Sequence, residues 1–191
     1  MQKVLMILGA GQNEVPAIKR AKEMGIKTIV CDMNNNAPGL EYGDYNVVAR
    51  TKDPKEYVDI AKKRKINGVM TVSVESLVPT ISIIAEELGL TGISKDAASN
   101  VTNKVSMKKV LKSHNIPCGT FVSAGSLTEA LENVKKLKFP LVIKPADRAG
   151  SRGVFKLENE GGLNKYFNIS LGESRCKEVI IEEFIEGIES T

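Results

Sequence analysis

At 191 residues the chain is long enough to bury one large core or two small ones. Its 42% apolar and 26% charged residues suit an ordinary globular protein, and a net charge of +4 with Lys and Glu interleaved favours a small anionic ligand over a nucleic-acid footprint. No run reaches the length of a membrane span, and Met1 leads almost directly into an apolar stretch without a signal-peptide pattern.

The first ninety-odd residues alternate strand and helix. Residues 3–8 read as a short buried strand, and residues 14–24 keep helical spacing up to a stop at Gly25. Residues 27–31 read as a second strand, followed by the loop MNNNAPG, and residues 46–49 as a third. In TKDPKEYVDIAKKRK, Asp53 is placed to cap a helix with Pro54 at its first position and Glu56 at its third. Residues 68–72 predict another strand and residues 76–88 another helix. This βαβα pattern with short connections predicts a parallel, doubly wound sheet.

After GLTGIS the character changes. Residues 103–115 predict a Lys-rich amphipathic helix whose buried stripe is Met107, Val110 and Leu111. IPCGTFVSAGS leads through a strand into a helix opened by the capping box Ser126-Leu-Thr-Glu129. PLVIKP, GVFKL and EVIIEEFI predict three more strands, with a helix near residues 163–170. The expectation is an α/β protein in two parts: a Rossmann-like domain with a parallel sheet over residues 1–95, then a smaller α+β unit over 96–191. The stop at Thr191, soon after an acidic strand end, reads like a piece of something longer. Cys31, Cys118 and Cys176 are far apart and odd in number, which fits reduced thiols of a cytoplasmic protein better than a disulfide framework or a zinc site. The single histidine, His114, falls near a helix end and leaves no histidine-based metal cluster within the chain.

Two glycine turns carry candidate chemistry. In VLMILGAGQNEV an apolar strand runs into a Gly-x-Gly turn, and IVCDM ends the next strand on an acid, as dinucleotide-binding proteins begin. The full fingerprint has a third glycine; here Glu14 stands in its place after Gly9 and Gly11. A carboxylate there would face a pyrophosphate at a helix N-terminus, where the dipole favours the ligand's negative charge. Asp32 nonetheless sits where a ribose-binding acid belongs. An NAD(P)-binding module, a small-substrate contact and a purely structural turn all fit this stretch.

The second turn is LVIKPADRAGSRGVF. Lys144 lies near the end of an apolar strand, and a short polar loop with Gly150, Ser151, Arg152 and Gly153 leads into the next strand. A glycine-rich hairpin can lay backbone N–H groups against phosphate oxygens, with an ammonium or guanidinium adding charge. The P-loop pattern does not match, and a solvated surface hairpin is the bland alternative.

Taken together, GAGQNEVPAIKRAKEMG, DMNNNAPG, TNKVSMKKVL, PLVIKPADRAGSRGV and VIIEEFIEGIE resemble the ATP-grasp superfamily, specifically its carbamoyl-phosphate-synthase-like members. The resemblance covers nearly the whole chain. It implies a Rossmann-like pre-ATP-grasp domain, then the N-terminal ATP-grasp subdomain, with the C-terminal subdomain missing. It implies a ligase that activates a carboxylate as an acyl phosphate with Mg-ATP and passes it to an amine. Lys104 would then reach the α-phosphate side, and Lys144 the α- and β-phosphates. Gly150, Ser151, Arg152 and Gly153 would form the flap over the β- and γ-phosphates. Glu182 would accept from the adenine amino group, the backbone at Glu183 and Ile185 would pair with the adenine edge, and Glu189 would hold the ribose. Lys144 and Arg152 are the catalytic candidates. The Mg²⁺ ligands are expected downstream of residue 191, so the fragment alone is expected to show no turnover. A non-catalytic nucleotide-binding subunit of a split enzyme is a further alternative.

In open α/β sheets, ligands bind at the carboxyl ends of the strands. Gly11, Gln12 and Glu75 lie at such ends and are the candidate substrate contacts, although Glu75 also suits a plain first-turn acid. Partners are therefore expected to be ATP and small carboxylate and amine substrates, without nucleic acid or membrane. Homodimerisation through the first domain follows from the resemblance.

Overall fold

The computed structural model describes residues 2–49 and 53–188, and the chain divides into two compact units, Met1–Ser99 and Asn100–Thr191. In the first, β1 (Val4–Leu8), β2 (Lys27–Asp32), β3 (Tyr45–Val48) and β4 (Gly68–Met70) form one sheet in the order β3-β2-β1-β4, all pairs parallel. Successive residues of a strand point to opposite faces, and here both faces are covered. Met6, Leu8, Ile29 and Cys31 join Tyr57, Val58 and Ala61 of α2 (Pro54–Arg64) and Ile81 and Ile84 of α3 (Val78–Glu87). Ile7 and Val30 face the other way, against Ile18 of α1 (Val15–Glu23). Burial on both sides is why these strands read as near-continuous apolar runs.

The helix signals act as expected at α2, where Asp53 Oδ1 accepts from Lys55 N at 2.9 Å and Pro54 occupies the first turn. The fourth strand is shorter than predicted. It ends at Met70, Val72 is exposed, and a 3-10 turn over Glu75–Leu77 precedes α3.

Helix α4 (Lys95–Thr102) spans the division between units. The second unit holds α5 (Lys104–Ser113), β5 (Phe121–Ala124), α6 (Leu127–Asn133), β6 (Leu141–Pro145), β7 (Phe155–Leu157), α7 (Glu160–Glu173) and β8 (Val179–Glu183). Its sheet runs β5-β8-β6-β7, all pairs antiparallel. One face carries Leu141, Ile143, Leu157, Val179 and Ile181 into a core with Leu163 and Phe167 of α7. The two-residue period then leaves Val142, Lys144, Ile180 and Glu182 on the opposite face.

That face receives the N-terminal half of α5. Val105 packs with Ile180 and Ala146, Asn103 caps the helix by accepting from Ser106 N at 3.0 Å, and Lys104 N donates to Ala146 O at 2.7 Å. The predicted stripe is therefore corrected: Val105 is buried, Met107 and Leu111 are half-buried, and Val110 is exposed. Docking through one end, rather than along a flank, is why helical periodicity misplaced it. Ser126 caps α6 as predicted, but Glu129 Oε2 returns to Gly125 N, one residue before the cap. Cys31, Cys118 and Cys176 are free thiols. No helix among the described residues is long and apolar enough to cross a membrane.

Candidate functional site

The site face is built by the β6–β8 register. Val142 lies opposite Glu182 and Lys144 opposite Ile180, which makes Lys144 and Glu182 diagonal neighbours on one face. Lys144 Nζ donates to Glu182 Oε1. Lys108 approaches from α5, with its Nζ 2.5 Å from Glu182 Oε2. The second contact is charge against charge rather than an aligned hydrogen bond, for Oε2 has no hydrogen-bond partner. The side chains of Lys108, Lys144 and Glu182 are only 12%, 22% and 14% exposed. Burial pushes the Glu182 carboxyl up, but the two ammonium groups outweigh it and hold Glu182 below the ordinary carboxylate range.

Lys104 serves the neighbouring loop: its Nζ donates to the Arg148 carbonyl at 2.7 Å. Asp147 fastens the base of that loop, accepting from Arg175 N and Cys176 N at 2.9 Å and from Ser174 Oγ at 3.0 Å. Burial pushes Asp147 up, and these donors outweigh it and draw it below its usual range. Arg148 Nε lies 3.5 Å from Glu173 Oε2. Beyond the base, Gly150, Ser151 and Gly153 take φ values of 79°, 54° and 70°, in the left-handed region. A side chain on Gly153 would press on Pro145 and Glu173 at 3.1–3.2 Å, so this glycine is required by close approach as well as by φ. Ser151 and Arg152 stand exposed on the hairpin between β6 and β7.

Past β8 the backbone lines an open cleft of about 410 Å³ with Val142, Glu182, Glu183, Phe184, Ile185 and Ile188. Glu183 N donates to Thr120 O at 3.1 Å. The Glu183 carboxylate turns away from Glu182 and accepts from Lys138 N. Ile185 is 73% exposed. Glu189 lies outside the described residues.

In the first unit the Gly-x-Gly corner is filled by the chain itself. Gly9, at φ 98°, donates to Cys31 O at 2.8 Å, and Ala10 N donates to Asp32 Oδ2 at 2.7 Å. Asp32 Oδ1 also accepts from Asn34 N, so this acid ties two loops together. Glu14 is buried, with Oε1 accepting from Ser73 N and Ser73 Oγ and Oε2 only 2.9 Å from where a Gly11 Cβ would stand. The loops after β1 and β4 thus meet through Glu14 and Ser73. Gln12 is exposed and Glu75 half-buried on those two loops, but no hydrogen bond or ion pair joins them among the described residues.

The structure brings together Lys144 and Glu182 and places Lys104 at the loop base, while among the described residues no hydrogen bond or ion pair joins Ser151 or Arg152 to them. Sequence reasoning missed Lys108 and Asp147. Lys108 had a readable signal: it follows Lys104 by four residues, one turn along the same helix face. Asp147 had none, because its partners come from residues 174–176.

Comparison with known proteins agrees with this architecture. Residues 102–191 match the family model "Phosphoribosylglycinamide synthetase, ATP-grasp (A) domain". By that match residues 102–191 belong to the ATP-grasp superfamily. The whole chain is 26% identical over 187 residues to a formate-dependent phosphoribosylglycinamide formyltransferase of Prochlorococcus marinus, covering 96% of itself and 47% of the relative. It is 27% identical over 195 residues to a phosphoribosylamine–glycine ligase of Clostridium acetobutylicum, covering 99% and 46%. An N5-carboxyaminoimidazole synthetase from Staphylococcus aureus, solved in complex with ADP, superposes with a TM-score of 0.81 at 19% identity, covering 97% of this chain and 49% of that one, and so shares the fold. The chain spans about half the length of the curated relatives it matches.

Proposed function

We propose that this chain supplies the nucleotide-binding face of an ATP-dependent ligase, one that activates a carboxylate as an acyl phosphate for attack by an amine. The observation that carries the reading is the convergence of Lys108 and Lys144 on the buried Glu182, beside an open cleft and a glycine loop whose base Lys104 holds. Two ammonium groups on one carboxylate, with a third at the base of the adjoining loop, leave an excess of positive charge, which suits a polyphosphate. Bound ATP supplies a phosphoryl group whose transfer demands charge stabilisation above all. Lys104 and Lys144 are assigned to the α- and β-phosphates, and Gly150, Ser151, Arg152 and Gly153 to the outer phosphates. Lys144 and Arg152 carry the charge stabilisation. Glu182 and the backbone at Glu183 and Ile185 are assigned to adenine, and Glu189 to the ribose.

In this reading residues 1–95 are the pre-ATP-grasp domain and residues 96–191 the N-terminal ATP-grasp subdomain. Gly11, Gln12 and Glu75 belong to the substrate side, the small substrates are a carboxylate and an amine, and the carbamoyl-phosphate-synthase-like members are the nearest functional type. Cytoplasmic residence and homodimerisation are part of the same proposal. No three His, Cys, Asp or Glu side chains among the described residues group so as to hold a metal, so no residue here is assigned to Mg²⁺. The expectation of no turnover from residues 1–191 alone is tested by phosphate release, and Mg-dependent ATP hydrolysis by them would refute it.

Against an NAD(P) module stands Glu14, whose carboxylate fills the corner a pyrophosphate would need. Ligand-dependent unfolding separates the readings, because a ligand bound only by the native state raises apparent stability. ATP is expected to raise the unfolding temperature, Lys144→Ala to abolish that rise, and NADH to leave it unchanged. A rise with NADH and none with ATP would overturn the proposal. A non-catalytic nucleotide-binding subunit would show the same ATP response and would differ only in turnover of the complete protein.

A further inference from the structure

We infer that Lys108 is a positioning residue for Glu182, fixing that carboxylate as an acceptor and thereby setting adenine-over-guanine selectivity at the nucleotide cleft. The inference rests on the proposed nucleotide reading and adds to it a residue with a separate role. Glu182 is shared between two lysines that differ in where they can go. Lys144 sits on a strand whose end opens into the glycine loop, where phosphate charge would compete for its ammonium. Lys108 is tied to the Glu182 side: its Nζ lies 2.5 Å from Oε2, donates to the Gly119 carbonyl at 3.4 Å, and stands 5.6 Å from the Phe121 ring centroid. Phe121 is itself the β5 partner of Glu182 and Gly119 lies two residues before it, so the contacts of Lys108 gather at one end of β5.

The consequence is a division of labour. When phosphate draws Lys144 off, a carboxylate 14% exposed would be left without a counterion unless a second cation remained. Lys108 is that cation. It keeps Glu182 ionised and holds one oxygen, leaving the other turned to the cleft as a pure acceptor. Adenine presents a 6-amino donor to such a group. Guanine presents a carbonyl oxygen at the same position, and two acceptors facing one another repel. Lys108 touches neither base nor phosphate in this arrangement and acts through Glu182 alone.

The experiment measures binding of ATP and GTP to the 191-residue chain by calorimetry, for the wild type, Lys108→Met, Lys108→Arg, Glu182→Gln and the Lys108→Met/Glu182→Gln pair. Lys108→Met is expected to weaken ATP about tenfold while leaving GTP nearly unchanged, so that the ATP-to-GTP ratio collapses by the same factor. Lys108→Arg is expected to retain the ratio. In the Glu182→Gln background, Lys108→Met is expected to change nothing further, an outcome that a merely structural lysine would not give. Should Lys108→Met fail to fold alone, the comparison of Lys108→Arg with Glu182→Gln carries the test: the first must keep the ratio and the second must lose it. Binding of ATP by the wild type with an unchanged ratio in Lys108→Met would overturn this inference and leave the nucleotide reading standing. No ATP binding by the wild type would overturn both.

Discussion

The shared carboxylate makes a stability prediction that two single substitutions and their combination can test. Lys144→Met removes the donor to Glu182 Oε1 but leaves Lys108 against Oε2, and Lys108→Met does the reverse. A charged contact contributes about 1.5–3 kcal/mol, yet either lysine alone still neutralises Glu182, so each single substitution should cost only about 1–1.5 kcal/mol. Removing both leaves a buried carboxylate unpaired, for which about 3–5 kcal/mol is typical. The double substitution should therefore cost about 1–2 kcal/mol more than the two singles added together. Urea unfolding followed by circular dichroism gives the three values, with the slopes compared so that a changed unfolded state is not mistaken for lost stability. Costs that simply add, within about 0.5 kcal/mol, would show that the lysines do not share Glu182 and would refute the reasoning.

Other predictions follow from the same geometry. Glu182 and Asp147 both have folded-state pKa values below their unfolded ones, so their contribution is full above the ordinary carboxylate range of about 4 and is lost as pH falls through the folded values; Asp147→Asn should flatten the acid limb of the stability curve, and an unchanged limb between pH 2 and 4 would count against it. Phe167→Ala, in the core of the second unit, should cost about 3–5 kcal/mol, and a loss under 1 kcal/mol in urea unfolding would contradict the packing described. Alkylation followed by mass spectrometry should label exposed Cys176 quickly and leave Cys31 unlabelled until unfolding, since burial pushes the Cys31 thiol up to about 12. Glu75→Ala in a complete protein should raise the substrate KM; unchanged KM and kcat would remove Glu75 from the substrate side.

Much of the fold was legible because local signals and burial agreed. The central strands β1 and β2 of the first sheet bury apolar residues on both faces, and Asp53, Pro54 and Ser126 mark helix starts that depend only on neighbouring residues. What failed depended on which end of an element docks. Helix α5 has amphipathic spacing, but its buried apolar contact is Val105 near its start, and no periodicity reports that. The candidate site divides the same way. Lys144 and Glu182 could be marked from sequence, and their meeting was set by a register of residues nearly forty apart. The fate of Glu14 was only half legible: the missing third glycine warned of something, and Ser73 on a distant loop supplied the reason.

The glycine loop between β6 and β7 can also be viewed as a mechanical part. Asp147 and Arg148 tie one end of it, and at the other Gly153 passes so near Pro145 and Glu173 that a side chain there would press on them. Between these two ties lie only residues 149–152, a short span with Ser151 exposed at its crest. A small fluorophore attached at exposed Ser151 would sit outside the folded core of the second unit, and under the proposed nucleotide reading it would report ATP arrival optically.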